Sequence, residues 1–131
     1  MLHITALYAS ILALILLWLA YNVVVFRRTD GVDLGDGGSQ TGIRHIRAQA
    51  NATEYVPITL ILFAIYEING GSIYLLHAFG ALLVFARIVH PLGLANKKGK
   101  SFGRFYGTLI TWLIMIALAL LNIYHFASNL L

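Results

Sequence analysis

Residues 11–20 read ILALILLWLA, and they lie within a longer stretch, residues 1–26, that contains no Asp, Glu, Lys or Arg. An α-helix rises about 1.5 Å per residue, so roughly 20 residues cross a hydrocarbon core of about 30 Å. Apolar and polar residues do not alternate in this run, which excludes a strand of a membrane barrel. The stretch therefore predicts a transmembrane helix.

The remainder of the chain repeats this pattern. Residues 68–86 and 105–131 also lack charged side chains, and a fourth apolar stretch, about 48–66, is interrupted by Asn51, Glu54 and Pro57. Only 11% of the residues are charged, 60% are hydrophobic and none is cysteine. This composition excludes a disordered chain, a secreted disulfide scaffold and an ordinary cytosolic domain. We predict an all-α integral membrane protein, a single domain over residues 1–131. Its four transmembrane helices span about 4–26, 46–68, 73–94 and 105–128 in a left-handed bundle.

The basic residues are distributed on one side of this predicted bundle. All nine lie in the first loop, in the third loop or in the helix turns beside them: Arg27, Arg28, Arg44, Arg47, Arg87, Lys97, Lys98, Lys100 and Arg104. The positive-inside rule then places loops one and three in the cytoplasm and both termini outside, in the inner or plasma membrane if the cell is bacterial. The lysines serve mainly to orient the chain. Tyr8, Tyr66, Tyr74 and Tyr124 are expected at the outer interface.

The second predicted helix has a polar face. At about 100° per residue, its charged and amide side chains fall within roughly 80° of one another: Arg44, Arg47, Asn51 and Glu54. Tyr55 lies at the edge of this face. A carboxylate at that depth is costly unless it is paired, so it is expected to face the protein interior or a wet cavity.

Two interpretations of this face remain open. In the first, Arg47 or Arg87 forms a structural ion pair with Glu54 and holds helices together. In the second, the face binds a zwitterionic ligand, with arginines on carboxylates, Glu54 on an ammonium group and Asn51 on a peptide group. The arginines outnumber the one glutamate, and this surplus favours an anionic ligand.

The third predicted helix adds Arg87 and His90, about 60° apart at its cytoplasmic end. His90 precedes Pro91 and is expected to mark the end of that helix. The histidines are scattered along the chain, so no metal site is expected. Because the chain lacks cysteine, any reactive thiol has to come from a ligand, and Arg104 or Arg28 would favour its thiolate form.

Residues 47–57, RAQANATEYVP, closely resemble the helix-two signature of the MAPEG family, the membrane-associated proteins in eicosanoid and glutathione metabolism. The likeness is greatest to the leukotriene C4 synthase and microsomal glutathione transferase type. Arg27-Arg28 at the end of helix one, the FAR run at residues 85–87 and Arg104 at the start of helix four also match. The resemblance covers essentially the whole chain.

The resemblance implies a homotrimer that binds glutathione between neighbouring subunits at their cytoplasmic ends. Its glutathione contacts, carried over by position, are Arg27, Arg47, Gln49, Asn51, Glu54, Tyr55, Arg87 and His90. Arg104 would stabilise the thiolate, and Arg28 would act on the electrophile. This chain departs from the pattern at His90 and Leu94, which replace tyrosines. The loop before Arg104 is also longer, so that Lys100 is an alternative to it.

The expected activity is that of a glutathione-dependent transferase or peroxidase acting on lipophilic electrophiles by an arginine-stabilised thiolate. The expected partners are the lipid bilayer, a lipophilic small molecule and two further copies of the chain, without nucleic acid or metal. A non-catalytic membrane scaffold of the same fold, binding lipid or glutathione, is one alternative. A small proton-coupled exporter that uses Glu54 is another.

Overall fold

The computed structural model describes residues 1–96 and 101–129, which form four α-helices. They are α1 (His3–Asp30), α2 (Gln40–Ile68), α3 (Ile73–Asn96) and α4 (Phe102–Ser128). The prediction of an all-α, four-helix protein is confirmed, and each helix is longer than predicted at the end where the bases lie. Outside the apolar segment, polar residues can continue a helix as readily as apolar ones. Bounds that are taken from hydropathy omit these polar turns. Lys97, Lys98 and Lys100 lie outside the described residues.

The helices α2 and α3 form the centre of the bundle. The outer helices α1 and α4 each pack on both of them, and within residues 1–96 and 101–129 the backbones of α1 and α4 are not adjacent. The main apolar core lies towards the end of the bundle that carries the α2–α3 turn and includes Leu12, Phe63, Leu83 and Leu118. Towards the loop-one end, the buried apolar cluster of Leu19, Ala48 and Ala52 is small, which leaves that end to polar groups.

Three helices of the described chain are long and apolar enough to cross a membrane: α1, α3 as far as Leu94, and α4. Large apolar side chains such as Leu14, Ile116 and Leu120 are exposed on them, as expected for surfaces in contact with lipid. The helix α2 is not among these three because polar residues extend far along its first half. The molecule is an all-α membrane protein whose most polar helix lies at the centre.

Caps and tertiary hydrogen bonds fix the helix ends. The left-handed Gly31, with φ of 65°, ends α1, and the Ser39 side chain accepts a hydrogen bond from the Gly42 backbone at the start of α2. At the other end of the bundle, the Glu67 carboxylate of α2 accepts hydrogen bonds from the backbone N–H groups of Ile4 (2.9 Å) and Thr5 (2.7 Å). The Thr5 hydroxyl donates to it as well, at 2.5 Å. A carboxylate from α2 therefore caps the first turn of α1.

Two local expectations were wrong. The third helix does not end at His90, because Pro91 lies inside α3, which continues to Asn96. Tyr8 and Tyr66 do not face the outer interface. Both rings are buried in the bundle, where the Tyr8 hydroxyl donates to the His77 carbonyl at 3.1 Å. A buried tyrosine hydroxyl needs such a partner, and the sequence pattern does not reveal whether one is available.

Candidate functional site

Arg87 connects three helices from the interior of the bundle. Its side chain is only 1% exposed, and its Nη1 donates to Asn51 Oδ1 of α2 at 2.9 Å. Its Nη2 donates to the carbonyl oxygen of Gly107 at 2.8 Å and to the hydroxyl of Thr111 at 2.6 Å, both on α4. Neutral oxygens thus hold this buried guanidinium, and its Nε lacks a hydrogen-bond partner within the described residues.

Glycines bring α3 and α4 close enough for this network. A Cβ on Gly107 would lie 2.7 Å from the His90 Cβ and 2.9 Å from the Ala86 carbonyl oxygen. A Cβ on Gly103 would lie 2.6 Å from the Val89 carbonyl oxygen. Gly103 and Gly107 are one turn apart on α4, a spacing that permits close helix packing in membranes. The absent side chains allow Arg87 to reach the α4 backbone.

The bond from Arg87 fixes which end of the Asn51 amide points inward. A guanidinium has only donors, so the oxygen of Asn51 has to face it. The Nδ2 group of the half-buried Asn51 is then directed away from Arg87 and is available as a donor to an acceptor atom of a ligand. The charged Arg87 also polarises the Asn51 amide whose oxygen it binds, and this makes the N–H groups of that amide stronger hydrogen-bond donors.

Two other members of the polar face of α2 lie on the surface of a single chain. Arg47 and Glu54 are exposed, and Tyr55 is half-buried, with its ring centroid 6.2 Å from that of Trp112 on α4. In residues 1–96 and 101–129, the Glu54 side chain forms no hydrogen bond or ion pair. The interpretation of a structural ion pair between Glu54 and either Arg47 or Arg87 is therefore wrong within one chain, and Arg87 takes Asn51 as its α2 partner instead.

The two predicted catalytic arginines line different cavities. Arg28 and Arg27 line one of about 380 Å³ at the end of α1, together with Val24 and Asp33. The Arg27 Nε also donates to the Gly35 carbonyl oxygen in loop one at 3.4 Å. Arg104 lines a cavity of about 410 Å³ along the exposed side of α4. Within one chain, these two sets of bases do not meet.

Arg104 and His90 lie at the junction of α3 and α4. The side chain of Ser101 caps α4 by accepting from the Arg104 backbone N–H at 3.3 Å, and Arg104 itself is exposed. His90 is buried with its Cβ against Gly107. Gln49 is half-buried on α2, away from the face that carries Arg47.

Two site residues on α4 were not predicted from the sequence. Thr111 accepts the shortest of the hydrogen bonds from Arg87, and Trp112 packs on Tyr55 and lines the Arg104 cavity. The only signal in the sequence was a threonine inside an apolar run. No group of three His, Asp or Glu side chains close enough to hold a metal occurs among the described residues.

Comparison with known proteins bears on the whole chain. The model of the MAPEG family matches residues 5–124. Inner membrane protein YecN of Escherichia coli strain K12 is 32% identical over 122 residues, which cover 93% of this chain and 92% of the relative. The protein of the same name from Escherichia coli O6:H1 has the same identity and coverage. The similarity therefore includes all four helices.

Proposed function

Since the chain belongs to the MAPEG family, we propose that it is a membrane-bound, glutathione-dependent transferase or peroxidase of the leukotriene C4 synthase and microsomal glutathione transferase type. Its second substrate would be a lipophilic electrophile dissolved in the bilayer. By analogy with the relative named inner membrane protein YecN, we also assign it to the inner membrane. Loops one and three would face the cytoplasm.

The observation that carries this proposal is the exposure of Arg47 and Glu54 on the surface of a single subunit. Both lie on α2, the helix that packs between α1, α3 and α4. Charges on such a helix are costly against lipid, so another surface or a polar ligand has to cover them. Neighbouring subunits of a homotrimer, with glutathione between them, would cover these charges and pair them with the ligand carboxylates and ammonium group.

The separation of Arg28 from Arg104 supports the same assembly. Within one chain they line different cavities, so one bound ligand meets both arginines only if a second subunit supplies one of them. Glutathione contacts would come from Arg27, Arg47, Gln49, Asn51, Glu54, Tyr55 and His90. The buried Arg87 would act through Asn51, whose outward Nδ2 group would donate to a peptide carbonyl of glutathione.

The chemistry would proceed from the thiolate of glutathione. A guanidinium beside the thiol favours loss of its proton to solvent, and Arg104 is the candidate for that role. The sulfur then attacks the electrophilic carbon, a carbon–sulfur bond forms, and the leaving group departs with the electron pair. Phe105, Leu109 and Trp112 line the Arg104 cavity and would hold the apolar substrate beside the sulfur. Arg28 would stabilise charge that develops on the substrate.

Isothermal titration of the detergent-solubilised protein with glutathione tests binding. We expect a saturable heat that S-hexyl-glutathione abolishes by competition. Asn51→Asp should weaken binding because a carboxylate cannot donate to the peptide carbonyl, whereas Asn51→Gln keeps a donor and should weaken it less. Absence of heat, or heat without competition, would rule out glutathione as the ligand.

Turnover with an aryl halide tests catalysis separately. Arg104→Ala should lower kcat by about 10²-fold or more, the usual effect of removing one preorganised charge stabiliser, and should leave glutathione affinity nearly unchanged. Arg104→Lys, which keeps the charge, is the matched control and should retain part of the rate. Unchanged turnover in Arg104→Ala would reject Arg104 as the activating residue and direct attention to Lys100.

A second candidate function is a membrane scaffold that binds glutathione or lipid without catalysis. The side chain of His90 favours it, because it is buried against α4 where a tyrosine contact to glutathione is expected by resemblance. Ultraviolet absorbance of the bound thiol distinguishes the two functions. Thiolate absorbance near neutral pH supports the transferase, whereas glutathione binding without it supports the scaffold.

A further inference from the structure

A small cavity lies between α1, α2 and the end of α3, apart from the two cavities that hold Arg28 and Arg104. Its volume is about 160 Å³. The side chains from α1 and α2 that line it include Trp18, Leu19, Asn22, Arg44, His45 and Ala48. None of them lines the other two cavities, and none belongs to the Arg87 network.

The lining changes from apolar to polar along the bundle, towards loop one. The helices α1 and α2 run antiparallel here, because the Phe26 ring stacks on the His45 ring near the loop-one end, with centroids 6.4 Å apart. Leu19 and Ala48 pack together deeper in the bundle. Asn22 on α1 and Thr41 on α2 are nearer to the loop. The deep end of the cavity is therefore apolar, and the end towards water carries donors.

The donors suit a phosphate. Arg44 is a half-buried guanidinium. A guanidinium has five N–H donors in one plane, so it can bind phosphate oxygens while it also serves another partner. The half-buried amide of Asn22 lies opposite it on α1. Trp18 is 43% exposed at the rim of the cavity, next to Leu19 at its apolar end.

The size of the cavity limits the occupant to a headgroup fragment. A cavity of about 150 Å³ accommodates a benzene ring, and a phosphodiester with its nearest carbon has a similar number of heavy atoms. Acyl chains would have to remain outside, along the exposed surface beside Trp18. The polarity gradient gives the same orientation, with the phosphate towards water and the glycerol towards the hydrocarbon.

We propose that this cavity is a binding site for the phosphodiester of an anionic phospholipid in the leaflet at the loop-one end. Arg44 and Asn22 bind the phosphate oxygens, and Trp18 and Leu19 contact the glycerol and the first carbons of an acyl chain. The site does not depend on glutathione. It would seat one lipid per subunit between α1 and α2, and so hold these two helices together.

Thermal unfolding of the full chain in dodecyl maltoside micelles, titrated with phosphatidylglycerol, tests the site. We expect saturable stabilisation, with half-saturation shifted about fivefold or more to higher lipid in Arg44→Gln, the effect of one arginine on anionic lipid. Arg28→Gln removes the same charge from the same end of the bundle outside this cavity, and should shift it little. If half-saturation shifted equally in the two variants, the stabilisation would come from general charge attraction, and the proposed site would be rejected.

Two further arms identify the source of the phosphate. Phosphatidylcholine should stabilise the protein less than phosphatidylglycerol, and inorganic phosphate at millimolar concentration should not reproduce the Arg44-dependent effect. Equal stabilisation by either would overturn the assignment to an anionic lipid, and Arg44-dependent stabilisation by glutathione would transfer the cavity to the proposed substrate site.

Fluorescence provides a measurement that does not depend on stability. The chain has two tryptophans, so Trp112→Phe leaves Trp18 as the single reporter. Phosphatidylglycerol brominated near the start of its acyl chains should quench Trp18 more strongly than brominated phosphatidylcholine at the same mole fraction. Asn22→Leu should reduce this difference because it removes one of the two donors and leaves Arg44 in place. Equal quenching by the two lipids in the Trp112→Phe protein would contradict the proposal.

Discussion

Replacement of Gly107 by alanine should destabilise the bundle, although alanine is the better helix former by about 1 kcal/mol. The added Cβ would lie 2.7 Å from the His90 Cβ and 2.9 Å from the Ala86 carbonyl oxygen. Non-bonded carbon atoms normally stay about 3.5–4.0 Å apart. The obstacles are a Cβ and a backbone atom, which no side-chain rotation moves aside, so α4 has to shift away from α3 by about 1 Å.

That shift has two costs. Overpacking of a close contact costs about 1–3 kcal/mol. The bond from Arg87 Nη2 to the Gly107 carbonyl oxygen, now 2.8 Å, would lengthen to about 3.8 Å and be lost. A hydrogen bond to a charged group contributes about 1.5–3 kcal/mol. The sum exceeds the gain in helix propensity, and the net loss should be about 2 kcal/mol or more.

Thermal unfolding in detergent measures this loss, which should lower Tm by about 5–10 °C. Ala81→Gly, at an exposed position inside α3, is the control that reports helix propensity alone and should cost about 1 kcal/mol. If propensity governed position 107, Gly107→Ala would raise Tm by the amount that the control lowers it. An unchanged or raised Tm would refute the close approach of α3 and α4.

Three further predictions concern the ends of the bundle. Glu67→Gln should fray the first turn of α1 and cost about 1 kcal/mol, because an amide cannot accept every hydrogen bond that the carboxylate receives there. Hydrogen exchange at the Thr5 backbone N–H should become faster, and unchanged exchange would contradict the cap. Asn122→Leu should leave the free energy of unfolding within about 1 kcal/mol of the parent, since it removes one hydrogen bond together with a buried oxygen that has no partner among the described residues. A large loss of stability would show that this oxygen is satisfied in the assembled protein. The chain has no cysteine of its own, so a thiol reagent that does not cross membranes can report the topology. It should label Leu34→Cys only from the cytoplasmic side and Ser128→Cys only from outside. The opposite pattern would show that the proposed topology is inverted.

Much of the fold could be predicted from composition, but the partners of the polar residues could not. Arg47, Asn51 and Glu54 share a face of α2 by spacing alone, and the structure keeps them on that helix. Two of the hydrogen-bond acceptors for Arg87 lie on α4, where Thr111 stands in an apolar run and Gly107 provides only its backbone carbonyl. Backbone acceptors carry no sequence signature. The same limit hid the cap that Glu67 provides to α1, which joins residues more than sixty positions apart.

The sequence by itself determined that this is a four-helix membrane protein. A backbone in hydrocarbon has to satisfy its own hydrogen bonds, so long charge-free runs have no other stable conformation. It also determined that any thiol is borrowed, since the chain has no cysteine. Only the tertiary structure decided which charges are buried and which remain exposed. That outcome depends on how closely the helices approach one another. Gly103 and Gly107 bring α4 close enough to α3 for Arg87 to reach it, whereas Glu54 remains at the surface of the bundle.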